Sequence, residues 1–134
     1  MIYIDFIDIK QDDITIDVRT KEEFLKMPLF DNNVAIINKK EHDMLKKKMY
    51  LAMPIIIKGF IKNKETIKKE LLMLSSNKKK RLIIGCSRGR LRSPIVYLYA
   101  KLLGIDAKVL KRGIKRFYKK DTNNLKNLYG FLDI

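Results

Sequence analysis

Cysteine and histidine each occur once in the 134 residues, and that scarcity rules out several kinds of chemistry. A single cysteine closes no internal disulfide. There is no Cys-x-x-Cys, no His-Glu-x-x-His and no cluster of metal ligands, so no metal or other cofactor is expected. Neither a signal peptide nor an apolar run long enough to cross a bilayer is present, which predicts a cytoplasmic location and no membrane partner. Internal repeats and linkers are also missing, so residues 1–134 are expected to form one domain, and 46% hydrophobic content suffices for one core. Acidic residues are few, 15 against 30 basic ones, leaving a net charge of +15. The excess gathers at Lys46-Lys47-Lys48, Lys78-Lys79-Lys80-Arg81 and from Lys111 to Lys120. Such a field attracts polyanions, although lysine runs are as often plain solvated surface.

The one cysteine stands in an informative place. The apolar run Leu82-Ile83-Ile84 is too short for a helix and suits a buried strand, from whose carboxyl end Cys86 would emerge. Ser93-Pro94 signals a helix start, with the serine as cap and the proline in the first turn, and the helix would run to about Gly104. The intervening Ser87, Arg88, Gly89, Arg90 and Leu91 would converge backbone N–H groups and the helix dipole on the thiol. Helix N-termini and cations such as Arg88, Arg90 and Arg92 lower a thiol's pKa from ~8.5 toward ~3.5–7.5. Cys86 is therefore read as a nucleophile, and the loop from Ser87 to Ser93 as a cradle for an oxyanion or a persulfide. The plainer alternative is a buried cysteine acting as a small hydrophobe.

Strand-like runs at Ile2–Phe6, Ile14–Val18, Val34–Ile37, Leu82–Gly85 and Ala107–Leu110 alternate with helical stretches. This pattern predicts an α/β fold with a central parallel five-stranded sheet and helices on both faces. Ligands bind such sheets beyond the carboxyl ends of the strands, which is where Cys86 and Arg19 would lie. Residues 39–69 read as two helices, the first through Met44, Leu45, Tyr50 and Met53 and disturbed by Pro54, the second opening at Asn63. Ile67, Leu71, Leu72 and Leu74 would face the sheet, and the methionines near Pro54 would fill the core. His42, flanked by Glu41 and Asp43, is expected to be solvent-exposed. Leu125, Leu128, Tyr129, Phe131 and Leu132 recur at helical spacing, predicting a short docked helix or a partner-binding tail over residues 121–134.

The strand, Cys86 loop and helix together resemble the rhodanese family. Ile14 to Phe24 is similar to its strand ending in Asp-Val-Arg and the short helix after it, and Val34 to Asn38 to its next strand, without the usual His-Ile-Pro-Gly. Within that family the loop is most similar to the amino-terminal domain of the tRNA 2-selenouridine synthases, Cys-Trp-Arg-Gly-Gly-Met-Arg-Ser. Cys86, Arg88, Gly89, Arg92 and Ser93 match, while Ser87 and Arg90 replace a tryptophan and a glycine. The stretch Leu110 to Tyr118 resembles Leu-x-Gly-Gly-Tyr-Lys-x-Tyr-Arg and retains Gly113 and Lys115, with Arg112 in place of a glycine. A helical insertion over about residues 39–76 is similar in placement and length to that domain's long connection.

The resemblance implies a rhodanese fold and a covalent carrier role for Cys86. Sulfur or selenium would come from thiosulfate, a persulfide or selenophosphate, and tRNA would be the target. The P-loop half of such enzymes has no counterpart here, since no Gly-x-x-x-x-Gly-Lys-Ser/Thr occurs, so a separate P-loop protein is the implied partner. Tyr118 or Phe117 would stack on an exposed base. Asp17 and Arg19 are read chiefly as securing neighbouring loops by hydrogen bonds and ion pairing, with a catalytic acid or base role as the alternative and Arg19 also as a ligand contact. Cys-x5-Arg is equally the spacing of cysteine phosphatases and arsenate reductases on this fold, although Gly85 stands where they usually have histidine. A rhodanese-like binding module without catalysis is the third reading.

Overall fold

The structure, a computed structural model, describes residues 2–87, 91–114 and 117. Arg88, Gly89, Arg90, Lys115 and Tyr118, and the helix expected over 121–134, lie outside the described residues. The strands are β1 (Tyr3–Ile4), β2 (Ile14–Asp17), β3 (Asn32–Asn33), β4 (Leu82–Gly85) and β5 (Ala107–Leu110). They form one sheet in the order β1-β5-β4-β2-β3, and every pairing is parallel. The expected α/β class with a parallel five-stranded sheet is thus the architecture observed. All four residues of β4 are buried, as a central strand with neighbours on both sides requires.

Alternation along the strands divides the core in two. Leu82 and Ile84 of β4 join Ile16, Val18 and Ala107 in the larger cluster, which receives Leu45 of α2 (Lys39–Lys47), Ile56, Ile67 and Leu71 of α3 (Ala52–Leu74), and Val96 and Ala100 of α4 (Arg92–Leu102). Ile83 points to the other face, where it meets Phe30, Leu110 and Ile114, with Ile4, Ile9, Leu29 and Phe117 packed around them. Among the described residues the apolar sides of α2, α3 and α4 serve the first face, and the helical Phe117 packs on the second with Ile9 and Leu29.

Several boundaries differ from the sequence reading. Val34 to Ile37 is not a strand; β3 is only Asn32–Asn33, and Val34, Ile36 and Ile37 enter the core from irregular backbone. Asn63 Nδ2 donates to the Ile36 carbonyl at 2.9 Å, supplying a partner that a ladder would otherwise provide. The amino-terminal strand shortens to Tyr3–Ile4 because Phe6–Asp8 turns into a 3₁₀ helix. In the insertion the break falls not at Pro54 but at Lys48, where α2 ends and a 3₁₀ turn over Met49–Leu51 begins. Pro54 is the third residue of α3, where the backbone donor has no intrahelical partner, so proline is accommodated. Met49 and Met53 are 64% and 42% exposed and do not fill the core. Because α3 is one helix from Ala52, Lys58→Pro is expected to cost about 3 kcal/mol or more. Pro54→Ala should change stability by less than about 1 kcal/mol. Denaturant titration of both variants checks this.

Candidate functional site

The parallel register sets Asp17 of β2 beside Gly85 of β4, and the Val18 N–H donates to the Gly85 carbonyl at 2.9 Å. Cys86 follows directly, 3% exposed, at the carboxyl end of the central strand. After β5 the chain turns through Arg112 and Gly113, with φ of 64° and 78°, and brings back Ile114, whose N–H donates to the Cys86 carbonyl at 2.8 Å. Gly113 thus serves the turn that seats Ile114 behind the cysteine. Gly85 is required by packing. A Cβ there would lie 2.7 Å from Phe30 Cε2, closer than real Cβ contacts come, and a tight 3.1 Å from Ile114 Cδ1. The position before the cysteine has no room for a histidine in this packing.

Asp17 and Arg19 secure the neighbouring strand exit. Both are buried; Arg19 Nη2 donates to Asp17 Oδ2 at 2.6 Å, and its Nε lies 3.0 Å from both carboxylate oxygens. Arg19 Nη2 also donates to the Met27 carbonyl at 2.8 Å, tying the end of α1 (Lys21–Lys26) to the sheet. A buried charge is tolerated when paired in this way.

Glu23, in the first turn of α1, organises the site, although its role there was not foreseen from the sequence. It completes a capping box with Thr20, whose Oγ1 accepts from the Glu23 N–H at 3.2 Å, while Glu23 Oε1 accepts from the Thr20 N–H at 3.1 Å. The same carboxylate accepts from Arg92 Nη1 at 2.7 Å and Nη2 at 3.3 Å, and from Ser87 Oγ at 3.0 Å. Arg92 Nη2 also donates to Ser87 Oγ at 3.0 Å. Glu23 therefore ties together the two ends of the cysteine loop. Arg92, expected to face an anion on Cys86, carries a carboxylate partner instead. The Thr-x-x-Glu spacing of residues 20–23 was a legible signal of the cap, but nothing local announces contacts to residues 64 and 69 positions away.

His42 corrects a second expectation. Its side chain is only 12% exposed, and Nε2 lies 3.5 Å from Glu23 Oε2. Asn38 places it there by capping α2, its Oδ1 accepting from the Glu41 N–H at 2.8 Å. Burial, opposed in part by the charge of Glu23, holds the imidazole below its usual pKa. For Glu23, burial alone would raise the pKa, but the Arg92 hydrogen bond and charge, with His42 and the Thr20 N–H, outweigh it and hold it at about 2.

Ser93 also departs from expectation. The helix starts at Arg92, Leu91 occupies the cap position without a side-chain bond, and Ser93 is buried with no partner for its Oγ among the described residues. A cavity of about 530 Å³ opens at this end of the sheet. Cys86, Ser87, Leu91 and Arg92 meet Arg19, Glu23, Lys26 and Met27 there, and the insertion adds His42, Leu45, Lys46, Met49 and Ile56. The set defines a parallel α/β domain with a buried cysteine lining a cavity at the carboxyl end of its central strand.

No protein-family model and no curated protein matches the sequence. A solved structure similar to it is the N-terminal domain of a putative ATP/GTP binding protein from Clostridium difficile 630, with TM-score 0.69 and 23% identity over 87% of this chain and 96% of that one. The likeness is one of fold. No helix among the described residues is long and apolar enough to cross a membrane.

The Glu23 network makes stability pH-dependent. With its folded pKa at about 2 against an ordinary 4.5, Glu23 contributes stability that is present above 4.5 and lost as pH falls toward 2. The contribution is on the order of 3 kcal/mol. Urea titrations at intervals across that window should show the loss, and Glu23→Gln should be less stable at neutral pH and flatter in the acid range.

Proposed function

We propose that the protein is a rhodanese-like carrier in which Cys86 takes up sulfur or selenium as a persulfide or perselenide and passes it on. The observation that carries this reading is the position of Cys86 at the carboxyl end of β4, on a cavity whose polar side is built by Ser87, Arg92 and Glu23. An anionic donor beside the nucleophile would meet Ser87 and the Arg92 guanidinium, which already shares its charge with Glu23. The loop residues Arg88 to Arg90 are assigned to the same cradle on the strength of the resemblance. Phosphate or arsenate chemistry is the competing reading. It is less favoured because Glu23 is held ionised and cannot act as an acid near neutral pH, and because Gly85 stands where phosphatases place histidine.

The proposed target is the 2-thiouridine of tRNA, attracted by the +15 charge, with a separate P-loop protein completing the reaction in the cytoplasm. The solved neighbour is itself an amino-terminal domain of a protein named for nucleotide binding, which supports pairing this kind of domain with a P-loop half.

Intact mass of the protein after incubation with thiosulfate or selenophosphate tests the carrier role. Gain of one sulfur or selenium atom, absent in Cys86→Ser, is the expected result. No adduct, with Cys86-dependent release of phosphate from an aryl phosphate, would replace the reading with a phosphatase, and inactivity in both assays would leave a binding module.

A further inference from the structure

Away from the cysteine, α3 and α4 leave apolar side chains in water on adjoining sides. On α3, Met53, Ile57 and Ile61 recur every fourth residue and so form one ridge, 42%, 44% and 65% exposed. On α4, Leu98 and Leu102 are likewise one turn apart, 61% and 84% exposed. Single exposed apolar residues are ordinary, whereas two ridges side by side make a patch of the kind that marks a binding surface. The two helices meet through rings. Phe60 and Tyr99 pack edge to face with centroids 5.1 Å apart, and Lys64 Nζ stands 5.9 Å from the centre of the Tyr99 ring. At about 100° per residue, Phe60 lies between the buried side of α3, marked by Ile56 and Ile67, and its exposed ridge. Tyr99 lies in the same way between buried Val96 and Ala100 and the ridge on α4. The ridges therefore stand over one ring contact as the walls of a shallow groove with an aromatic floor. The charge around it is one-sided. Lys64 and Lys68 continue the α3 ridge and Lys101 borders the α4 ridge; Glu65 is the acidic neighbour, and residues 92–102 contain no acid at all.

We infer that this groove docks an amphipathic helix of another protein, whose apolar face enters between the ridges and whose acidic flanks meet the lysines. The shape suits a helix, because a ridge of every fourth residue accepts the matching row of a third helix, and Met53 to Ile61 spans about 12 Å, a little over two helical turns. The charge selects among occupants. A second copy of the chain would bring the same lysines into the groove, and residues 118–134 carry three lysines against two aspartates, so neither complements it. A bilayer surface takes up a single convex apolar face, whereas here the rings are recessed between two helices. None of the groove's walls lines the Cys86 cavity, so the docking site stands whether or not the carrier reading does.

Fluorescence anisotropy of the full chain with a labelled, stapled helical peptide of about fourteen residues tests this. The peptide carries leucines on one face and glutamates on the other. One control scatters the same residues around the helix, and a second replaces every glutamate with lysine. Binding of the acidic amphipathic peptide at least about tenfold tighter than either control is expected, with about a tenfold loss when Ile61→Ser and Leu102→Ser are combined. Both residues are exposed and distant from the cysteine site, and an unchanged melting temperature verifies that the variant folds. Equal binding of the scattered peptide would reduce the interaction to net charge and overturn the inference. Absence of binding, or a preference that the paired substitutions leave intact, would overturn it too. Co-sedimentation with phosphatidylcholine–phosphatidylserine vesicles and sedimentation velocity of the protein alone address the other occupants. Vesicle binding or self-association that the paired substitutions abolish, without a peptide preference, would reassign the groove to a membrane or to a second copy.

Discussion

The carboxylate of Glu23 is the constraint on which the site depends. It joins three pieces of chain that the sheet alone would leave independent: the start of α1, the residue after Cys86 and the first residue of α4. A charge this enclosed is stable only because its partners are charged or strongly polar and meet it at hydrogen-bond distance. Remove the carboxylate, and the Arg92 guanidinium and Ser87 hydroxyl lose the group that fixes the ends of the cysteine loop. The held geometry then converts a parallel sheet's ordinary binding edge into a particular floor.

The second structural determinant is the insertion. α2 and α3 bury Leu45, Ile56, Ile67 and Leu71 against the first face of the sheet, and the same packing turns His42, Leu45 and Met49 toward the cysteine. Core formation and pocket formation are therefore not separate events. The helices that stabilise the sheet also help define the cavity beside Cys86, which Lys46 of α2 and Lys26 of α1 line as well.

How far the molecule could be read from its residues follows the range of the interactions. The run Leu82 to Gly85 and the stretch Ala107 to Leu110 are strands where their local pattern placed them, because buried parallel strands write themselves as continuous apolar runs. Val34 to Ile37 has the same apolar signature and is not a strand, since burial is supplied by α3 and an Asn63 side chain substitutes for the ladder. Pro54 looked like a break because a proline's effect depends on its position in the helix, which composition does not reveal. The site divides in the same way. Cys86, Arg19 and Arg92 were legible from a single loop and strand exit; Glu23 and His42 were not, because the first was hidden in a capping motif and the second is brought in by an insertion whose packing only the fold determines.

The account stands on the coupling between Glu23 and Arg92, and a double-mutant cycle with Glu23→Gln, Arg92→Lys and the pair measures it. Urea stability gives the energetic coupling, and the rate of the proposed persulfide formation on Cys86 gives its functional counterpart. A coupling of at least about 2 kcal/mol, with each single variant losing nearly as much rate as the double, is the result predicted. Additive effects in both measurements would show that the two side chains act independently and that the loop is held by something else.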